Sequence, residues 1–116
     1  MMTPSPVTVL PDAAIERKKY PIFTGCMNYF PNALALVARR SWEGGQQHHP
    51  NEPLHWDKNK SSDELDAMCR HMVEGDWEAM AWRALAHLER MIAAGYTPKW
   101  ADTTPAALDN FRPPHL

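Results

Sequence analysis

The sequence predicts an all-α protein, a small helical domain of three main helices with a long ordered loop and extended N- and C-terminal arms. Three observations carry this expectation. Apolar residues recur at i, i+3, i+4 and i+7 over 65–73 and again over 80–92, the spacing of one helix face. No segment shows the apolar–polar alternation of a half-buried strand. The 11 prolines cluster at both ends and in the centre, so helices must lie between those clusters. At 116 residues the chain makes one small domain. Residues 1–14 read as a flexible arm, 15–95 as the helical domain and 96–116 as a Pro-rich C-terminal arm.

In chain order, Pro4, Pro6 and Pro11 leave the first arm without a period. A charged link over 16–19 leads to Tyr20, Pro21, Ile22 and Phe23, an apolar patch suited to packing on the core or on a partner subunit. The first helix is expected over about 30–42. Pro31 suits a first helical position, where its missing N–H costs nothing. Leu34, Val37 and Ala38 share a face, with Leu36 and Arg40 turned elsewhere, and Gly44 and Gly45 are expected to end the helix. Residues 46–60 then read as a loop, because Pro50 and Pro53 would break a helix or strand. Loops of that length in a small domain are functional or disordered. Leu54 and Trp56 favour an ordered one, folded against the helices.

The second helix has a start signal in Ser61-x-x-Glu64, a capping box. Leu65, Met68, Cys69, Met72 and Val73 form its expected core stripe, and Gly75 ends it. Both cysteines, Cys26 and Cys69, read as small buried thiols. The third helix starts with Asp76 as N-cap and ends at Gly95. Its apolar face is Met80, Ala81, Ala84, Leu85, Leu88, Met91 and Ile92, with Trp82 also expected in the core. The tight Gly75–Asp76 connection makes these two helices an antiparallel hairpin. In the tail a short helix over 105–110 is expected, and Trp100, Leu108 and Phe111 are spaced to wrap over a neighbouring surface.

Composition removes several classes of function. A net charge of −2 argues against a basic face that wraps duplex DNA. No apolar run approaches the roughly 18 residues of a membrane span. The N-terminus lacks the charged-then-apolar order of a signal peptide, and two cysteines without C-x-x-C spacing make no disulfide scaffold. A cytoplasmic location is expected.

Chemistry concentrates between Gly44 and His71. Asp63, Asp66 and Arg70 share one face of the second helix, apart from its apolar stripe, with His71 beside them. Carboxylates one turn apart can hold Mg²⁺ together with waters and a phosphate, and an arginine one turn on can grip a phosphate with two hydrogen bonds. The plainer alternative is a solvated face with an Asp66–Arg70 ion pair. In the loop, His48 and His49 are candidate ligands or plain surface. His55 beside Trp56 suits a pocket for a base. Zinc-type spacings are absent. On the third helix, Arg83 and His87 are i,i+4 neighbours, so one faces a partner or ligand or His87 is a neutral structural histidine. No catalytic triad, phosphate-binding glycine loop or nucleophile elbow occurs, so chemistry at this site would be metal-assisted hydrolysis of a phosphoanhydride.

These motifs carry a family resemblance. YFPNALALVARRS, then PLHW…KS-x-D-x-x-D-x-x-x-RH over 53–71, then AWRALA over 81–86, resemble the phage and bacterial dATP/dGTP diphosphohydrolase N-terminal domain family. The resemblance spans residues 17–95, and its most specific part is 53–71. It implies a helical protein that cleaves purine deoxynucleoside triphosphates, with divalent metal, to the monophosphate and pyrophosphate. The site residues it implies are His48, His55, Lys60, Asp63, Asp66, Arg70 and His71. The chain departs from the family in having His48-His49-Pro50 for His-Asn-Pro, and in lacking a longer segment with a second Arg-His pair between the two helices.

Two functions are therefore expected in competition. In the first, Asp63, Asp66 and Glu64 hold Mg²⁺ or Mn²⁺, Lys60 and Arg70 neutralise phosphate, His48 helps bind the substrate, and His55, His71 and Asp66 act catalytically. In the second, a non-catalytic phage-type protein sequesters a nucleotide or a nucleotide-derived signal, with Trp56 and Trp77 stacking the base. A helical protein–protein adaptor is a third. The expected partners are a purine nucleotide or similar small molecule and further copies of the chain, as a dimer or higher oligomer. No duplex nucleic acid and no membrane are expected. If the chain is phage-encoded, its place is the host cytoplasm.

Overall fold

The computed structural model describes residues 8–57 and 63–101. The fold is all-α, and none of the described residues lies in a strand. A one-turn helix α1 (Ala14–Arg17) and a π turn (Phe23–Met27) precede three long helices, α2 (Pro31–His48), α3 (Glu64–Glu74) and α4 (Trp77–Ala93), and a 3₁₀ turn (Lys99–Ala101) follows. α4 is the central element, with α3 antiparallel along it and α2 packed against it. No helix among the described residues is long and apolar enough to cross a membrane.

The ends of α3 and α4 follow from their glycines. Gly75 has φ 74°, and the Asp76 and Gly75 amides donate to the carbonyls of His71 (2.9 Å) and Met72 (3.1 Å). Gly95 has φ 103°, and Tyr96 and Gly95 repeat the pattern onto Met91 (2.9 Å) and Ile92 (3.0 Å). Both are Schellman caps, and both need a left-handed residue that glycine adopts without a Cβ penalty. Asp76 stands at the expected N-cap position of α4, but its side chain makes no capping hydrogen bond and lies 3.6 Å from His71 Nδ1.

Gly44 and Gly45 behave differently. The sequence places a helix end there, yet α2 runs through both to His48. The reason for Gly45 is a close approach: a Cβ at that position would lie 2.8 Å from Leu54 Cδ1. Glycine here lets the returning loop lie on the helix. That loop is shorter than the sequence suggests, because its first residues are helical. Its turn over 49–52 has Pro50 at the second position and Asn51 at the third with φ 64°, closed by Glu52 N–H on His49 O at 3.3 Å. Proline followed by a left-handed residue is the pattern of a type II turn. The expected charged link over 16–19 is half helical, Glu16 and Arg17 being the end of α1 and Lys18 and Lys19 a turn, with Lys19 paired to Glu16 at 3.1 Å.

α3 turns a different face inward from the one expected. Its buried residues are Glu64 and Ala67. Leu65, Cys69, Met72 and Val73 are exposed, Val73 at 84 %. Glu64 is 4 % exposed and accepts two hydrogen bonds from Arg90 Nη1, at 3.2 and 3.3 Å. That is not the back-reaching geometry of a capping box, whose Ser61 lies outside the described residues. The buried apolar residues are Ala67, Ala79 and Ala86, all alanines. Small residues let α3 and α4 approach closely, but they bury little area, and the larger apolar side chains are either half-buried, as Leu34, Val37, Met68, Met80 and Ile92 are, or exposed. Periodicity located an apolar stripe correctly, but it carries no information on what covers the stripe.

The cysteines depart from expectation in the same way, since both are exposed free thiols. Of the patch at 20–23, Tyr20 is half-buried and meets the edge of Trp100, with ring centroids 6.0 Å apart, while Ile22 and Phe23 are exposed. The segment 105–110, with Leu108 and Phe111, lies outside the described residues.

Candidate nucleotide cleft

The C-terminal half of α2, the loop through Asp57, the start and end of α3 and the first half of α4 enclose a cleft of about 650 Å³. Ligand sites run from about 300 to 1,000 Å³. A smaller hollow of about 50 Å³ adjoins it under the turn, sharing Gly45, His49, Leu54 and His55 with it.

The extension of α2 builds one wall. Arg40, Gly44 and His48 recur every fourth residue, and Ser41 and Gly45 lie beside them, so all five line the cleft. Ala79, Trp82 and Arg83 of α4, at i, i+3 and i+4, form the facing wall. Trp56 meets Trp82 edge to face, with centroids 5.6 Å apart at 74°. Arg83 lies over the Trp82 ring at 5.5 Å.

Arg17 donates to Pro11 O at 3.0 Å, away from the cleft, and the other described arginines divide into two groups. Arg39, Arg70 and Arg90 each have a carboxylate partner, Glu43, Asp63 and Glu64 respectively. Arg40 and Arg83 form no ion pair among the described residues, and both line the cleft. Two guanidinium groups without carboxylate partners and an aromatic pair suit a ligand that is anionic at one end and a flat ring at the other.

Four of the five described histidines, His48, His49, His55 and His71, line the same cleft. His49 and His55 stack with centroids 4.3 Å apart at 37°. His49 Nδ1 lies 3.4 Å from Glu52. His55 Nδ1 is 3.1 Å from Pro53 O. A carbonyl only accepts, so Nδ1 is the donor in this contact. His71 Nδ1 is buried, makes no hydrogen bond and lies 3.6 Å from Asp76 Oδ2.

The residues singled out in the sequence separate here. His48, His55, Trp56, Glu64 and His71 line the cleft. Asp63, Asp66 and Arg70 do not: all three are exposed, and Arg70 reaches back seven residues to Asp63 at 3.1 Å rather than to Asp66. Trp77 is exposed on α4, away from the cleft lining. Lys60 lies outside the described residues. His49, a candidate ligand by sequence, and Arg83, singled out by its spacing from His87, line the cleft too, and Arg40 and Trp82 are cleft residues that the sequence does not single out as such. The helical series Arg40–Gly44–His48 is the signal that would have found the α2 wall, once Gly44 is read as helical.

The carboxylates do not fit a resident metal ion. Both Glu64 oxygens face Arg90, Asp63 is held by Arg70, and Asp66 is exposed. Among the described residues, no group of three or more His, Cys, Asp or Glu is placed to hold one.

No protein-family model matches the chain, and no curated protein or solved structure matches it either.

Proposed function

We propose that the chain is a nucleotide-binding protein that holds a purine nucleotide in this cleft. The observation that carries the reading is that Arg40 and Arg83, without ion pairs among the described residues, line the same cavity as the Trp56–Trp82 pair. Arg40 and Arg83 take the phosphates, each charged hydrogen bond contributing about 1.5–3 kcal/mol. The base lies against the indoles, at about 1–3 kcal/mol for a stacked base. The sequence resemblance to the dATP/dGTP diphosphohydrolase N-terminal domain supports a purine deoxynucleoside triphosphate as the ligand.

Hydrolysis to the monophosphate and pyrophosphate is the second reading. What favours it is His55 in the cleft lining with Nδ1 turned to Pro53 O, which in the neutral Nδ1–H tautomer leaves Nε2 able to take a proton from water beside bound phosphates. Calorimetric titration with dGTP and dATP, with and without Mn²⁺, and a pyrophosphate assay on the same samples separate the two. Binding without pyrophosphate release supports the sequestering protein, and release that fails in His55→Ala supports the hydrolase. Failure to bind either nucleotide overturns both.

A further inference from the structure

We propose that a second copy of this chain covers the outer face of α4, the two α4 helices running antiparallel about a twofold axis. This is independent of what occupies the cleft. α4 is apolar on two sides. Ala79 and Ala86 are buried inside the protomer. The larger residues point out: Trp77 is 58 % exposed, Leu85 52 %, Leu88 45 % and Met91 40 %. Glu78 and Glu89 on one flank of α4, and Arg83, His87 and Arg90 on the other, separate this outer apolar face from the buried one, and among the described residues it stays exposed.

The outer residues follow a strict spacing. Trp77, Ala81, Ala84, Leu88, Met91 and Gly95 are separated by 4, 3, 4, 3 and 4 residues, the seam of a coiled coil. Their sizes point to the occupant, because two of the three small residues lie in the N-terminal half of the seam and two of the three large ones in the C-terminal half. In an antiparallel pair whose register places Ala84 opposite the partner's Leu88, Ala81 falls opposite the partner's Met91. Trp77 then falls opposite the partner's Gly95, just past the end of the helix. Every layer pairs a large residue with a small one, the condition for interdigitated packing. In a parallel pair Ala81 and Ala84 would meet themselves and leave voids beside paired tryptophans and leucines, which is unfavourable.

Surface area points the same way. The four large side chains expose on the order of 400 Å² per chain, the size of the largest apolar patch on a monomer, which is often a functional one. The pair would bury roughly 800 Å² from these alone, and the alanines and rim bring it near the ~1,000 Å² that marks the lower bound of a biological interface. Leu85, beside the seam, falls close to the partner's Leu85 near the axis and widens the apolar strip.

The test uses the full chain with Cys26→Ser and Cys69→Ser, so that introduced thiols alone can react. One sample carries Ala84→Cys, a second Leu88→Cys, and a third is an equimolar mixture exchanged under reducing conditions and then oxidised. The expected result is a disulfide-linked dimer in the mixture and little or none in either sample alone, because 84 meets 88 and neither meets itself. Linking in each sample alone means a parallel pair and overturns the proposal, as does absence of linking in all three. Sedimentation of the unmodified chain is expected to give at least twice the 13.2 kDa chain mass. Leu88→Glu is expected to weaken association at least tenfold, with Glu89→Lys unchanged. A monomer at every concentration would leave the face to a different protein and also overturn the proposal. The cysteine readout stands whether or not Leu88→Glu folds.

Discussion

Replacing Arg90 with methionine is expected to destabilise the protein by about 2 kcal/mol, because it strands the Glu64 carboxylate between α3 and α4. The Glu64 side chain is 5 % exposed and that of Arg90 34 %. Breaking a fully buried ion pair costs about 3–5 kcal/mol. Water reaches the guanidinium side of this pair, so the expected loss falls below that range. For a domain of this size about 2 kcal/mol corresponds to a fall in Tm of roughly 8–16 °C. Glu64→Gln keeps a neutral hydrogen bond to Arg90 and is expected to cost only about 1 kcal/mol. Combining the two substitutions removes the stranded charge, so the double variant should be more stable than Arg90→Met alone, which a double-mutant cycle reads directly. The assay is urea unfolding followed by circular dichroism at one fixed protein concentration, since association shifts apparent stability. Arg90→Met within 0.5 kcal/mol of the parent, a difference of the order seen for neutral surface changes, would refute the structural role given to Glu64. A loss carried wholly by Glu64→Gln would do the same, and would return Glu64 to the candidate metal ligands.

Three further outcomes are expected. Gly44→Ala should stabilise the protein by up to about 1 kcal/mol, since Gly44 is inside α2 and its nearest neighbour to an added Cβ is Arg40 Nη1 at 3.9 Å; a lower Tm would mean that the helix ends there after all. Asn51→Val should cost about 1–2 kcal/mol and Asn51→Gly none, because the backbone at φ 64° disfavours a β-branched residue, with thermal melts as the readout. Trp56→Ala should weaken purine nucleotide binding by about 5- to 100-fold, from the energy of one stacked base. Unchanged affinity in that calorimetric titration would remove the indole from the site.

The sequence carries the helical architecture well where local chemistry decides it. Pro31, Asp76, Gly75 and Gly95 act within one or two turns of themselves, and each stands at the helix boundary expected of it. Gly44 and Gly45 misled because the reason for Gly45 is not local: it is the approach of Leu54, nine residues on. The apolar stripe of α3 misled for a related reason. Leu65, Met68, Cys69 and Met72 share a face, but spacing cannot say whether a helix of the same chain covers it. Of the candidate site, the histidines and Trp56 were legible as a concentration of unusual side chains. Asp63, Asp66 and Arg70 also share a helix face, yet that face looks away from the cleft. Arg40 was hidden because its partners across the cleft, Trp82 and Arg83, are more than 40 residues away in sequence.

The central claim is that the phosphates are held by the two cleft arginines and not by the arginine of α3. Titration of Arg40→Ala, Arg83→Ala and Arg70→Ala with dGTP and dATP tests it most directly. Loss of at least tenfold in affinity is predicted for each of the first two, from one charged hydrogen bond apiece. Arg70→Ala is predicted to bind as the parent does, its guanidinium being paired with Asp63 away from the cleft. Undiminished binding in Arg40→Ala and Arg83→Ala, with loss in Arg70→Ala, would contradict the account and move the site to the Asp63–Arg70 face.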